Sequence, residues 1–172
     1  MERTRIPAAD VGAGLLMRIL FPLLTLAFLS GGCQAPTEPL PYPITLSPEG
    51  LGPLRPGLSF DVAALQSKLP GFTVEKMSQI TPERSRILFV LKRGDAVMAY
   101  ILPDEQGKRI GNISVVTELI PDHNGQKVGD PIHENPSLRC AGDECRYGTH
   151  PSLSYRLAPS SRIIREITLQ KL

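Results

Sequence analysis

Alternating apolar and polar residues dominate the middle of the chain and predict a β-sheet. Four successive segments are rich in β-branched residues with this alternation, at residues 72–80, 85–93, 96–104 and 108–119. The connections "RGD" at 93–95 and "DEQGK" at 104–108 are short turn sequences. Because strands joined by such short turns run antiparallel, these segments predict an antiparallel meander.

Two further regions extend the predicted sheet. Residues 44–46 read as a short strand, and "PSLSYRLAP" and "RIIREITLQK" predict a last hairpin around "SSR" at 160–162. Residues 120–149, which separate this hairpin from the meander, are expected to be irregular.

The segment "SFDVAALQSKLPG" predicts the one helix. Ser59 is the expected N-cap, with Asp61 in the first turn, and Pro70 and Gly71 end the helix. Its apolar residues have helical spacing: Phe60, Ala64, Leu65 and Leu69. We therefore predict an α+β fold, with an antiparallel sheet of about six strands and one short helix packed on a face.

Length and charge narrow the function classes. A chain of 172 residues suits one ordinary domain, which we place at residues 44–172. The formal net charge is only +2 and there is no basic run, so the sequence does not favour nucleic-acid binding.

The first 32 residues have the layout of an export signal. Arg18 precedes an apolar stretch at 19–29, which is too short to span a bilayer. Ser30 and two glycines then precede Cys33, which resembles a bacterial lipobox. We therefore expect lipidation of Cys33, which would anchor the protein in the membrane. A plain secretory signal and a buried apolar helix with a chance cysteine are the alternatives.

The residues on either side of this signal support three further predictions. The acidic residues upstream of Met17 are unusual in a signal, which indicates translation from Met17. Four prolines at 34–43 predict a semi-extended tether, residues 33–43, between lipid and domain. Gln34 follows Cys33, where enterobacterial lipoproteins kept in the inner membrane commonly carry Asp. The expected location is therefore the periplasmic face of the outer membrane.

Cys140 and Cys145 allow three chemistries. A zinc site needs further ligands at short spacing, and a redox pair favours C-x-x-C without the two carboxylates found here. Export to an oxidising compartment favours a disulfide, with Gly142 supplying the bend of the small ring. We predict a disulfide that pins a loop, and neither a metal nor a cofactor.

No arrangement typical of an enzyme stands out. The glycines at 52 and 57 match part of a phosphate loop, but Leu58 replaces its lysine, so no nucleotide is expected. There is no G-x-S-x-G serine, and the histidines fall in the irregular segment or at its end. We therefore predict no catalytic residues; His133 and Asp130 are the candidates if the protein is instead a small periplasmic hydrolase.

Two stretches, "LSPEGLGPLRPGLSFDVAALQSKLPGFTVEK" and "VGDPI…CAGDECRYGTHPSLSYRL", resemble the RpoE-regulated lipoprotein family of Gram-negative envelopes. The resemblance implies an outer-membrane lipoprotein linked to envelope stress, with no established activity. The expected function is thus a non-catalytic role in envelope maintenance or the stress response, with the membrane and an envelope protein as partners. The alternative is a partner-specific inhibitor or assembly factor that presents the stapled loop.

Overall fold

The computed structural model describes residues 43–80 and 85–171, and its centre is an antiparallel eight-stranded sheet. The strands are β1 (Leu46–Ser47), β2 (Gly50–Leu51), β3 (Thr73–Ile80), β4 (Ser85–Arg93), β5 (Ala96–Pro103), β6 (Ile110–Val115), β7 (Leu138–Ala141), β8 (Glu144–Tyr147), β9 (Leu153–Leu157) and β10 (Ile164–Gln170). The described helix, α1, spans Val62–Lys68. The main sheet has the order β3-β4-β5-β6-β10-β9-β8-β7, and β1 and β2 pair separately. The predicted α+β class is confirmed, but the estimate of about six strands is too low.

The meander and the last hairpin are both confirmed. Strands β3 to β6 pair in chain order, and β9 pairs with β10. Arg93 pairs with Ala96, so the "RGD" turn has two residues in its loop, and Gly94 takes a φ of 56° there. Glycine accepts this left-handed conformation, which two-residue hairpin turns require, without steric cost.

The prediction of an irregular segment at 120–149 is wrong in its second half. Leu138–Ala141 and Glu144–Tyr147 form the hairpin of β7 and β8, which extends the sheet by two strands. Here too the loop has two residues, because Ala141 pairs with Glu144, and Gly142 has a φ of 65°.

The helix starts later than predicted, and Asp61 rather than Ser59 is its N-cap. The Asp61 carboxylate accepts a hydrogen bond from the backbone N of Ala64 at 3.0 Å. Ser59 instead forms a β-bridge with Arg109, just before β6. This pairing holds the chain extended up to the cap, so the helical turn begins only at Val62.

The helix and the segments at residues 44–54 and 120–132 cover one face of the sheet. Leu46, Leu54 and Leu65 from these covering segments are fully or almost fully buried, and belong to one hydrophobic core with Ile101, Ile113 and other inward residues of the sheet. Within residues 43–80 and 85–171, no helix has the length and apolar character that a membrane crossing needs.

The N-terminal predictions lie outside the described residues. They are the signal at 1–32, translation from Met17, lipidation of Cys33 and the tether as far as Tyr42.

Candidate functional site

The uncovered face of the main sheet carries a groove lined mainly by polar side chains. It encloses about 550 Å³, with lining residues from both halves of the sheet, from Met77 on β3 to Glu144 on β8. We call it the sheet groove. Because side chains alternate between the two faces of a strand, its lining is the polar half of the alternation that builds the core.

Three hydroxyl side chains stand side by side on the floor of the sheet groove. Ser114 on β6 pairs with Thr168 on β10, and Thr168 pairs with Ser154 on β9. Tyr100 on β5 is opposite Ser114 and extends the row. Ser114 and Ser154 are each only 5% exposed. We call Ser114, Thr168 and Ser154 the hydroxyl row.

Amide and charged groups flank the hydroxyl row on its two sides. Two residues along the strands in one direction, Asn112 and Gln170 pair with each other. In the other direction Arg156 pairs with both Glu166 and Glu144, on its two neighbouring strands. The polar character of the sheet groove thus changes along the strands from amides through hydroxyls to charges.

An apolar wall faces these polar groups. Met77, Leu88 and Leu102 line the β3 to β5 side of the sheet groove, next to the Tyr100 ring. Met77 is 48% exposed, which is large for an apolar side chain. The sheet groove therefore offers a ligand an apolar surface on one side and hydrogen-bonding groups on the other.

The two carboxylates of the sheet groove are each paired with an arginine. Arg156 Nη1 lies 2.9 Å from Glu166 Oε2, and Arg146 Nη2, at the rim, lies 2.7 Å from Glu144 Oε1. On the opposite wall Arg86 donates to Gln79 Oε1 at 2.9 Å. Hydrogen bonding from the Arg146 guanidinium lowers the pKa of Glu144, so this carboxylate stays ionised at neutral pH.

Cys140 and Cys145 form the predicted disulfide. The two cysteines pair directly across the β7–β8 hairpin, with their Cα atoms 4.0 Å apart. The bond therefore staples two adjacent strands at the edge of the sheet rather than an irregular loop. Cys145 is fully buried in the core, whereas Cys140 is exposed.

His133 and Asp130, the residues of the hydrolase alternative, do not line the sheet groove. The backbone N of His133 donates to Gln126 Oε1 at 2.7 Å, and its carbonyl accepts from the Tyr147 hydroxyl at 2.5 Å. Asp130 accepts from the backbone N of Lys127 at 2.9 Å. These bonds are ones that hold a loop in place.

A buried polar cluster anchors the same loop to the covered face of the sheet. Asp122, 2% exposed, accepts from the Tyr155 hydroxyl at 2.6 Å and from the backbone N of Asn124 and of Gln126, both at 2.8 Å. Gln126 in turn donates to the Tyr147 hydroxyl at 3.2 Å. Burial is the main cause of the raised pKa of both tyrosines.

The rings of His123 and His150 meet edge to face, with their centroids 4.5 Å apart. In the part of the chain that the structure describes, no three His, Cys, Asp or Glu residues gather in a group that could hold a metal ion. The C-x₄-C spacing is accounted for by the disulfide.

These features define a small α+β domain whose sheet has one packed face and one open, mostly polar face. No family model and no curated protein matches the chain. Among solved structures, it is similar to the uncharacterized protein yfeY from Escherichia coli, with a TM-score of 0.58 and 20% sequence identity. The match covers 74% of this chain and 99% of that one. At this identity the similarity shows the fold alone, so the resemblance to RpoE-regulated lipoproteins stays a prediction.

Proposed function

We propose that the protein is a lipid-anchored binding protein on the periplasmic face of the outer membrane, with a non-catalytic role in envelope maintenance or the stress response. The observation that carries the binding role is the sheet groove, which is about 550 Å³ in volume with an apolar wall and a polar floor. Ligand sites in proteins combine apolar surface with a few well-placed polar groups in this way.

The anchor rests on the sequence around Cys33. Small residues before this cysteine and the apolar stretch at 19–29 support export and lipidation. One acyl chain binds a membrane only marginally, whereas two or more hold it firmly. The proline-containing tether would then let the domain stand off the bilayer with the sheet groove accessible.

The chemistry of the sheet groove supports binding rather than catalysis. Glu144 and Glu166 each accept from an arginine. The Arg146 guanidinium lowers the pKa of Glu144, so this carboxyl is not suited to be the general acid that glycoside cleavage needs. The hydroxyls of the floor have no histidine beside them among the described lining residues, so the usual activation of a serine is not available.

The binding role can be tested in the native envelope. A photo-crosslinking amino acid at Met77, in the sheet groove, is expected to form an adduct in living cells. The same amino acid at Lys68, which is exposed on α1 and belongs to the covering layer, is the matched control and is expected to form none. The same adduct at both positions would show that the sheet groove is not the binding site, and the absence of any adduct would show that it binds no protein.

The anchor needs its own experiment. Cys33→Ala is expected to abolish labelling by radioactive palmitate and to leave the precursor uncleaved. Normal processing and unchanged membrane fractionation of this variant would show that the protein is not a lipoprotein.

A second candidate function is that of an inhibitor or assembly factor which binds its partner through the stapled hairpin. The observation in its favour is that Gly142 and Asp143, at the tip, are exposed at the end of a covalently closed hairpin on the sheet edge. A crosslinker at Asp143 that captures a protein, while one at Met77 captures nothing, would favour this function.

A further inference from the structure

The directions of the hydrogen bonds on the groove floor can be assigned from chemistry. Glu166 is paired with Arg156 and, as a carboxylate, can only accept, so Thr168 Oγ1 must be the donor in its 3.2 Å contact with Glu166 Oε1. A threonine hydroxyl has one proton. Ser114 must therefore donate to Thr168 in the 2.9 Å contact between their hydroxyls.

Ser114 and Thr168 thus both direct their protons to other groups of the protein. What these two hydroxyls present toward the sheet groove are oxygen lone pairs, so they act as acceptors there and a ligand must supply donors.

The paired charges restrict the ligand further. On the floor, Arg156 and Glu144 already have partners of opposite charge in the protein, so a charged group that binds there would have to displace one of them. A ligand without net charge avoids this cost. It also needs an apolar surface to cover Leu88 and Leu102 on the opposite wall.

We propose that the sheet groove binds an uncharged oligosaccharide. This inference rests on the proposed binding function and names its ligand class. Sugar hydroxyls would donate to the hydroxyl row, and the C–H faces of the rings would cover Tyr100 and the apolar wall. From Glu166 to Gln170 the floor extends over about 13 Å along β10, which is longer than one sugar ring.

An oligosaccharide fits this floor better than an extended peptide does. A sugar hydroxyl can rotate its proton toward whichever acceptor it meets. A peptide backbone presents N–H and C=O groups in fixed alternation, so its carbonyls would meet acceptors on the hydroxyl row. Asn112 and Gln170 contribute amide groups, which can either donate or accept, beside the row.

The test is to titrate the purified full-length mature protein with chitotetraose and with cellotetraose and to measure binding by calorimetry. A zwitterionic detergent is used, because sugar-headed detergents would compete. Thr168→Val removes one hydroxyl at nearly constant shape and is expected to weaken binding by about 3- to 10-fold. Thr73→Val, an exposed position on β3 outside the sheet groove, is the control and should not change affinity.

Deoxyfluoro analogues of the bound sugar test the donor requirement separately, since fluorine replaces a hydroxyl without carrying a proton. Such an analogue should bind at least about 3-fold more weakly at the position that contacts the hydroxyl row. Equal binding of all analogues, or equal affinity of Thr168→Val with its fold confirmed by circular dichroism, would overturn the proposal.

The experiments distinguish failure of the ligand class from failure of the proposed binding function. If no oligosaccharide binds up to about 10 mM while a crosslinker at Met77 captures a protein in cells, the sheet groove is a binding site but the ligand class is wrong. If there is neither sugar binding nor an adduct at Met77, the proposed function fails as well.

Discussion

Removal of the Tyr155 hydroxyl gives the sharpest test of the structure. Tyr155 is fully buried and donates to Asp122 at 2.6 Å, and this bond ties the loop after β6 to the centre of the sheet. In Tyr155→Phe the Asp122 carboxyl keeps its two backbone donors but loses the third. Leaving a buried acceptor short of a partner costs about 1–3 kcal/mol of unfolding free energy at pH 7.

The size of this loss should depend on pH. Burial raises the pKa of Tyr155 above its ordinary value of 10, and the hydrogen bond to Asp122 adds to the shift. A raised folded-state pKa gives stability that is complete below pH 10 and is lost as the pH rises toward the folded value. At pH 11 the wild type has therefore lost about 1.4 kcal/mol through this one residue, and Tyr155→Phe has not. The difference between the two proteins should shrink by that amount from pH 8 to pH 11.

Urea unfolding, monitored by circular dichroism at pH 8, 10 and 11, measures both the cost of Tyr155→Phe and its change with pH. Contributions from other titrating groups cancel in the difference between the two proteins. Tyr100→Phe, which removes a half-buried phenol hydroxyl on the other face, serves as control and should cost less than about 0.5 kcal/mol at pH 8. A destabilisation by Tyr155→Phe that stays constant from pH 8 to pH 11 would refute the assignment of Tyr155 as a buried donor to Asp122.

Three further predictions concern the helix N-cap, the disulfide and the loss of stability at acid pH. Asp61→Ala removes the helix cap and should cost about 1 kcal/mol in urea unfolding, and a neutral effect would contradict the capping bond. Replacing both Cys140 and Cys145 with Ala should destabilise the protein by up to about 2 kcal/mol and speed amide hydrogen exchange in β7 and β8 before β9. A uniform loss of protection from exchange across the sheet would count against a local staple. The pKa of Glu144 is lowered in the folded protein, so its carboxylate stabilises the fold above pH 4.5, and this contribution is lost as the pH falls through the folded pKa. Glu144→Gln should therefore lose less unfolding free energy than the wild type between pH 6 and pH 3.

Three of the four strands predicted from alternation, β3, β4 and β5, match the expected residues to within one at each end, whereas β6, Ile110–Val115, is shorter than the expected 108–119. Residues 85–93 were expected as a strand and form β4, Ser85–Arg93, because "RGD" is a turn sequence with its glycine at the left-handed position. The β7–β8 hairpin carries similar signals. Gly142 and Asp143 repeat the Gly-Asp turn, and the flanking Leu138, Cys140, Cys145 and Tyr147 alternate with polar residues. The hairpin is not predicted above because its strand pattern appears only when the two cysteines are counted as small apolar residues.

The helix start could not be derived from the local pattern. Ser59 is a good cap by residue type, but the chain around it pairs with a segment about 50 residues later: Phe60 N donates to the carbonyl of Lys108 at 2.9 Å. A distant β-bridge of this kind outweighs a capping preference, which is worth about 1 kcal/mol. Only the tertiary structure reveals it.

The sheet groove could not be predicted from the sequence, for a related reason. Serine, threonine, asparagine and glutamine on the polar side of a strand are ordinary surface residues in a sequence, and no motif marks them. They become a site because β10 inserts between β6 and β9, which puts Ser114, Thr168 and Ser154 on three adjacent strands. If the strands had paired in simple chain order, β6 would lie beside β7, and Ser114 would have no contact with Thr168. The feature that carries the proposed function is therefore a product of one non-sequential strand pairing rather than of any local stretch of sequence.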